Sequence, residues 1–122
     1  MSLTIRTVGD VTILCPKGMY VGGAETRELE TKLEELLLAG ARKVLVNLAD
    51  TDYLSSPPLN VLLCARPKFL ERRGQIKLCA PNRKINLVFV TARVGLAFDI
   101  FETEHEALSK FESQDRSAAT AF

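Results

Sequence analysis

The amino-acid sequence predicts one α/β domain, with about four helices packed against a mixed central sheet of about four to five strands. Three observations predict it. The chain has 122 residues, which fits one domain with one core. Short apolar runs rich in β-formers alternate with longer segments of helical periodicity. Apolar residues make up 47% and charged residues 25%, ordinary values for a globular protein. Residues 1–122 are therefore interpreted as a single domain.

Two β-rich runs at the start of the chain predict a hairpin. Leu3–Val8 alternates apolar and polar residues, as does a strand with one buried face. Gly9-Asp10 is a turn signal, and Val11–Cys15 is the second β-rich run. We predict a loop over Gly18–Gly23.

The clearest helix is predicted over Glu25–Leu38, where leucines recur at helical spacing on one face. Gly40 follows the apolar run and can end the helix in the left-handed conformation. Lys43–Leu48 is a short run rich in Val and Leu that lies between two helices. It predicts a buried central strand.

A loop over Asp50–Pro58 and a second helix over Leu59–Arg72 are predicted next. Pro67 lies inside that helix, where a proline removes a backbone donor and clashes with the preceding turn. We therefore expect a kink or an early break. After a turn at Gly74, Gln75–Ala80 alternates as a strand.

The last part of the sequence is partly ambiguous. Pro81–Ala92 has apolar residues at helical spacing, yet its LVFVT stretch is also compatible with a strand. Thr103–Glu106 matches a capping box and predicts a last helix over Glu104–Phe111. Residues 113–122 are small and polar, and we predict a flexible tail there.

Composition and motifs favour few kinds of function. The formal net charge of +1 gives nucleic-acid binding no support. No signal peptide or membrane-spanning run is found, so a cytoplasmic location without membrane insertion is predicted. No catalytic triad, metal-ligand spacing or glycine-rich phosphate loop is present, so we predict no enzyme activity, no cofactor and no metal site. The single histidine, His105, is interpreted as a surface residue.

The three cysteines, Cys15, Cys64 and Cys79, are too few and too widely spaced for a disulfide framework or a zinc site. Each lies among apolar residues and is predicted to be a buried thiol. Basic residues dominate between Arg66 and Arg93, opposed by the single acid Glu71. They are interpreted as solvated faces, with binding of an acidic partner surface as the alternative.

Two stretches carry a resemblance to a known family. They are VLVNLADTDYLSSPPLNVLL at Val44–Leu63 and RGQIKLCAP at Arg73–Pro81. With the order of elements over residues 3–111, they resemble the STAS domain of bacterial anti-sigma factor antagonists, of the SpoIIAA kind. The resemblance implies a STAS-type fold and a regulatory domain that binds an anti-sigma factor or serine kinase-type protein.

The family's phosphorylation motif reads roughly apolar-D-S-S/T-G-L-G, and this chain keeps it in part. Ser56 aligns with the phosphoacceptor, and Ser55 replaces the aspartate before it and is a second, weaker candidate. Pro57 and Pro58 replace the second hydroxyl residue and a glycine. The resemblance, with the apolar residues around this loop, gives the following candidate partner contacts: Met19, Tyr20, Val21, Leu54, Pro57, Pro58, Leu59, Asn60, Leu63 and Arg66.

The two prolines bear on how a switch at Ser56 works. Neither carries an N–H, which weakens the anion cradle that a helix start provides. We expect the helix to start at Pro58, with Ser56 in the preceding loop. The alternative to a phosphoacceptor is a helix-start residue whose hydroxyl accepts a backbone amide. Alternative functions are a phosphorylation-independent scaffold that binds other STAS subunits or forms a homodimer, and a small-ligand or nucleotide sensor.

Overall fold

Five strands form the main sheet in the computed structural model, which describes residues 3–111. In chain order the elements are β1 (Leu3–Val8), β2 (Val11–Pro16), β3 (Gly18–Tyr20), α1 (Ala24–Leu38), β4 (Lys43–Asn47), β5 (Thr51–Leu54), α2 (Ser56–Glu71), β6 (Gln75–Cys79), α3 (Arg83–Thr91), a 3₁₀ turn (Val94–Leu96), β7 (Ile100–Phe101) and α4 (104–111). The main sheet has the order β1-β2-β4-β6-β7, with β1 antiparallel and the other pairs parallel. The predicted mixed sheet with four helices is confirmed.

The predicted hairpin is formed by β1 and β2. Val8 and Val11 are partners across a two-residue turn, and the register continues to Leu3 opposite Pro16. Gly9 takes the first turn position with φ of +60°, a left-handed value that glycine adopts without a steric penalty.

The core lies on both faces of the sheet, and β4 is its centre. Val44, Leu45 and Val46 are fully buried, as a central strand between two helical layers requires. One face packs against α1, α2 and α3. The other face packs against α4 through Ala107 and Phe111. The predicted buried central strand is confirmed.

Two segments predicted as loops contain short strands. β3 and β5 pair in parallel as a separate two-stranded sheet, with Met19 opposite Tyr53 and Tyr20 opposite Leu54. The backbone N–H of Ser55 extends this contact by donating to the carbonyl of Tyr20 at 2.9 Å. The predictions of loops over residues 18–23 and 50–58 are therefore wrong for Gly18–Tyr20 and Thr51–Leu54. Each strand is too short to show a period in the sequence.

Helix α2 begins earlier than the sequence analysis predicts. It starts at Ser56 and contains both prolines, so the predicted start at Pro58 is wrong. The first amides of a helix have no intrahelical partner, so Pro57 and Pro58 remove no helical hydrogen bond at these positions. The first such bond runs from the N–H of Leu59 to the carbonyl of Ser55, at 3.2 Å.

Helix α2 also continues through Pro67 to Glu71, so an early break there is wrong. Phe69 is 1% exposed and holds the last turn in the core. Its carbonyl accepts the N–H groups of Arg72 and Gly74, at 3.1 and 2.7 Å, which closes the helix end. This packing offsets the loss of one backbone donor at the proline.

The ambiguous segment after β6 is a helix, α3. The side chain of Asn82 caps it by accepting the N–H of Ile85 at 2.9 Å, and Ile85 and Phe89 are buried. The predicted last helix is confirmed, and the hydroxyl of Thr103 accepts the N–H of Glu106 at 3.1 Å, which is one of the two hydrogen bonds of a capping box. The predicted tail over residues 113–122 lies outside the described residues.

The structure corrects the predicted burial of Cys64 and the predicted exposure of Lys77. Cys15 and Cys79 are buried as predicted, but Cys64 is exposed because it lies on the outer side of α2. Lys77 is 3% exposed and not part of a solvated face. Its ammonium group contacts a carboxylate oxygen of Asp99 at 2.8 Å. Within residues 3–111 no helix is both long and apolar enough to cross a bilayer.

Candidate partner-binding site

The segment that the sequence singles out lies where β5 passes into α2. Strand pairing fixes this junction, because the backbone of Ser55 is hydrogen-bonded to Tyr20 of β3. The loop after β3 packs against the helix start: a Cβ atom at Gly22 would lie 3.7 Å from Cγ of Pro57. The N–H of Gly22 also donates to the hydroxyl of Thr26 at 3.0 Å, which ties the loop to α1. Two separate parts of the chain therefore form one surface around Ser56.

Ser55 occupies the N-cap position of α2, but its hydroxyl caps nothing. Its backbone is extended, with φ of −93° and ψ of −171°, as an N-cap requires. An N-cap oxygen normally accepts the amide of the second or third helical residue, and here these residues are Pro57 and Pro58. Neither has an N–H. The Oγ atom of Ser55 is consequently buried with no hydrogen-bond partner among the described residues.

Ser56 is the first residue of α2, and its side chain is exposed. It is not the N-cap, so the alternative in which its hydroxyl caps the helix is wrong. Its own amide is the only N–H left among the first three helical positions, since the next two residues are prolines. A phosphate on Ser56 would therefore find little of the amide cradle that helix starts offer to anions.

The predicted contact residues divide into a surface set and a core set. Met19 is 58% exposed and Val21 is 53% exposed. Pro57 and Asn60 are also exposed. We call the exposed group the α2-start face; its members are Met19, Val21, Ser56, Pro57 and Asn60. None of these side chains carries a charge.

Four predicted contacts are corrected because their side chains lie in the core. Tyr20 is fully buried, Leu54 is 1% exposed and Leu59 is 4% exposed. Pro58 is buried as well. Tyr20 and Leu54 point inward because they are paired positions of the two-stranded sheet, whose inner side packs on α2 and the main sheet. These four residues support the α2-start face from beneath and do not belong to it.

The last two predicted contacts lie further along α2. Leu63 is partly buried against the core. Arg66 is ten positions after Ser56, which places it about 15 Å away along the helix axis. It lines a separate cavity of about 260 Å³ together with Gln75 and Asp99. Arg66 is therefore not part of the α2-start face.

The groups with shifted pKa values lie away from this face. The guanidinium of Arg6 holds the pKa of Glu104 below its usual value, and the amide of Asn47 adds a hydrogen bond to the same carboxylate at 2.8 Å. Burial raises the pKa of the Cys79 thiol to about 12, which makes it unreactive. Within residues 3–111 no three His, Cys, Asp or Glu side chains group as metal ligands would.

Comparison with known proteins shows what the chain resembles. No family model matches it. It is 26% identical over 113 residues to BtrV of Bordetella bronchiseptica, named as an anti-sigma factor antagonist, and the match covers 93% of this chain and 97% of BtrV.

Two solved structures share the fold. A Thermotoga maritima protein named as an anti-sigma factor antagonist superposes with a TM-score of 0.81 at 23% identity, covering 88% of this chain and 92% of the other. Unphosphorylated SpoIIAA superposes with a TM-score of 0.78 at 16% identity, covering 91% of this chain and 96% of the other. The STAS-type fold predicted from the sequence is confirmed.

Proposed function

We propose that this STAS-fold protein is a regulatory protein-binding domain of the anti-sigma factor antagonist kind, and that it binds an anti-sigma factor through its α2-start face. The likeness to BtrV over nearly the whole of both chains supports the function. The exposure of Met19 and Val21 supports the α2-start face as the binding surface. Both are large apolar side chains that are more than half exposed beside Ser56. The proposal includes the cytoplasmic location that the sequence predicts.

The α2-start face has the properties of a small docking surface. Exposed apolar side chains on rigid supports are typical of protein interfaces. Here the support is rigid because β3 and β5 are paired and the loop between β3 and α1 is hydrogen-bonded to Thr26. A partner that covers Met19 gains about 1–2 kcal/mol from burial of that side chain, given that 58% of it is exposed. Because the five members of the face carry no charge, a partner can approach them closely without the cost of burying an ion.

Ser56 is proposed as a phosphorylation site that acts through the interface. Phosphate would add roughly −1.5 to −2 charges to a face whose other members, among them the apolar Met19 and Val21, are uncharged. Because Pro57 and Pro58 supply no amides, the domain itself offers the anion little compensation. A partner that covers this surface would have to bury the charge, so its affinity should fall sharply.

Binding of purified anti-sigma factors, including those with a serine kinase domain, from the same bacterium tests the proposal. Isothermal titration should give a Kd for the wild type that rises roughly tenfold or more in Met19→Asp and in Ser56→Asp. Leu38→Asp is the matched control, since Leu38 is 77% exposed and lies at the far end of α1. Equal affinities for Met19→Asp and the control would contradict the proposed surface.

A phosphorylation-independent binding or scaffold role is the second candidate, and the Pro57-Pro58 pair favours it. Mass spectrometry of the protein from its native cells separates the two. Phosphate on the peptide with Ser55 and Ser56 supports the switch. An unmodified peptide across growth and stress conditions, with binding still lost in Met19→Asp, supports constitutive binding.

A further inference from the structure

A second exposed apolar surface lies on α3 and the 3₁₀ turn that follows it. Leu87 is 67% exposed, Val90 is 69% exposed and Leu96 is 85% exposed. Leu87 and Val90 are three positions apart and share the outer face of α3, opposite the buried Ile85 and Phe89. Single exposed leucines are ordinary, but three large apolar side chains within ten residues form a patch.

The patch borders a groove of about 470 Å³ whose lining is mostly apolar. Its floor and walls are Phe89, Val90, Leu96 and Ile100, and Arg93 stands at its rim. We call this surface the α3 groove. A cavity of this size is within the range of grooves that hold a small ligand or a few side chains of a partner helix.

Basic side chains outnumber acidic ones around the α3 groove. The acids nearby are Asp99, which follows Phe98 and is ion-paired with Lys77, and Asp52, whose backbone carbonyl accepts a hydrogen bond from Asn82. Arg83, Lys84 and Arg93 are exposed, and Arg83 is on the same outer face as Leu87, four positions before it. The chain carries no Asp or Glu from Arg72 to Phe98. A ligand of this surface would therefore meet an apolar strip with cations at its edge.

We propose that the α3 groove binds an acidic amphipathic helix of a partner protein. The apolar side of such a helix, with anchors three or four positions apart, fills the groove between Val90 and Leu96. Its acidic flank meets Arg83, Lys84 and Arg93, which speeds association and fixes orientation. This surface is distinct from the α2-start face, so the domain has two places for partners.

Charge and shape favour this occupant over two others. A second copy of the chain in a two-fold dimer would place each basic rim against itself, which is unfavourable. A bilayer surface is flat, whereas the groove is concave. Helix α3 also has nine residues, which is short for an interfacial membrane helix.

Photocrosslinking in the native cells tests the inference. A photoreactive phenylalanine analogue is placed at position 96, and at position 38 as the control, because Leu38 is 77% exposed on another helix. We expect position 96 to crosslink to a partner segment that has apolar residues at helical spacing and flanking acids. A crosslink only to a second copy, only to lipid, or no more than at position 38 would overturn the inference.

Binding of the crosslinked partner, purified, gives the second measurement. Leu96→Glu and Arg93→Glu should each raise its Kd at least about tenfold, and rising salt should weaken the wild-type complex. Leu96 is so exposed that its replacement should leave the Tm unchanged. An unchanged Kd in both variants would overturn the inference. Met19→Asp should leave this Kd unchanged, because Met19 lies on the α2-start face. A failed prediction for the α3 groove is thereby distinguished from a failed prediction for the anti-sigma factor contact.

Discussion

Replacing Ser55 by alanine should not lower the free energy of unfolding, although Ser55 occupies the N-cap position of α2. An N-cap serine normally contributes about 1 kcal/mol, because its oxygen accepts an amide of the first turn. Here Pro57 and Pro58 stand where those amides would be, and within residues 3–111 the buried Oγ atom of Ser55 has no hydrogen-bond partner. A buried hydroxyl without a hydrogen bond costs roughly 1–3 kcal/mol.

We therefore expect Ser55→Ala to leave the free energy of unfolding unchanged or to raise it by about 1 kcal/mol. The companion change is Pro57→Ala, which restores an amide at the second helical position. That amide lets Ser55 cap the helix, which should add about 1 kcal/mol to the free energy of unfolding. Loss of the proline makes the unfolded chain more flexible, which should subtract about 0.4–1 kcal/mol. In the Pro57→Ala background, Ser55→Ala should then cost about 1 kcal/mol.

Urea unfolding followed by far-UV circular dichroism measures all four proteins of this double-mutant cycle, and the coupling energy should be about 1–2 kcal/mol. Ser56→Ala is the matched control, since Ser56 is exposed at the next position and should change stability little. A loss of 1 kcal/mol or more in Ser55→Ala alone would contradict this prediction, because the hydroxyl would then have a hydrogen-bond partner.

Three further predictions concern the scaffold. Gly74→Ala should destabilise by about 1–3 kcal/mol in urea unfolding, because its Cβ would lie 2.8 Å from a backbone carbonyl oxygen, while Gly95→Ala, with open space, should be nearly neutral. Glu104→Gln should cost about 1 kcal/mol or less at pH 7. Since Arg6 depresses the folded-state pKa of Glu104, the contribution is fully present above the ordinary value of 4.5. It declines below that value and is lost as the pH falls through the lowered folded-state pKa; a difference that grows at pH 3 would contradict this. Only Cys64 should react with Ellman's reagent in the folded protein, whereas all three thiols should react in urea. A second thiol that reacts at once in the folded protein would contradict the burial of Cys15 and Cys79.

Local patterns in the sequence predict the main sheet and its helices because their signals are long. The leucine spacing of α1 and the Val- and Leu-rich run of β4 each extend over enough residues to show a period. β3 and β5 have three and four residues, and they pair across more than thirty positions of chain. No local sequence pattern predicts that β3 and β5 pair.

The candidate site could be placed in the chain but not divided into surface and core. Met19 and Tyr20 are neighbours of similar apolar character, yet one is 58% exposed and the other fully buried. Their orientation follows from the pairing of β3 with β5, which alternates side chains between two faces. Without knowledge of that pairing, the sequence does not separate Tyr20 and Leu54 from the exposed residues.

The start of α2 at the proline pair differs from the prediction for a different reason. The steric rule that a residue before proline avoids helical geometry predicts a late helix start. Accounting for hydrogen bonds points the other way, because the first helical positions lack intrahelical partners and lose none when they are prolines. The structure follows the second argument at Pro57 and Pro58.

This helix start limits how a modification of Ser56 can act. A phosphate that found several free amides could reorganise the helix end and change the domain itself. With Pro57 and Pro58 in place, only the amide of Ser56 remains among the first three positions. The effect of the charge must then lie in the complex, where a partner would have to bury it against Met19 and Val21. A switch at this site would thus alter affinity for the partner while leaving the fold of the domain unchanged.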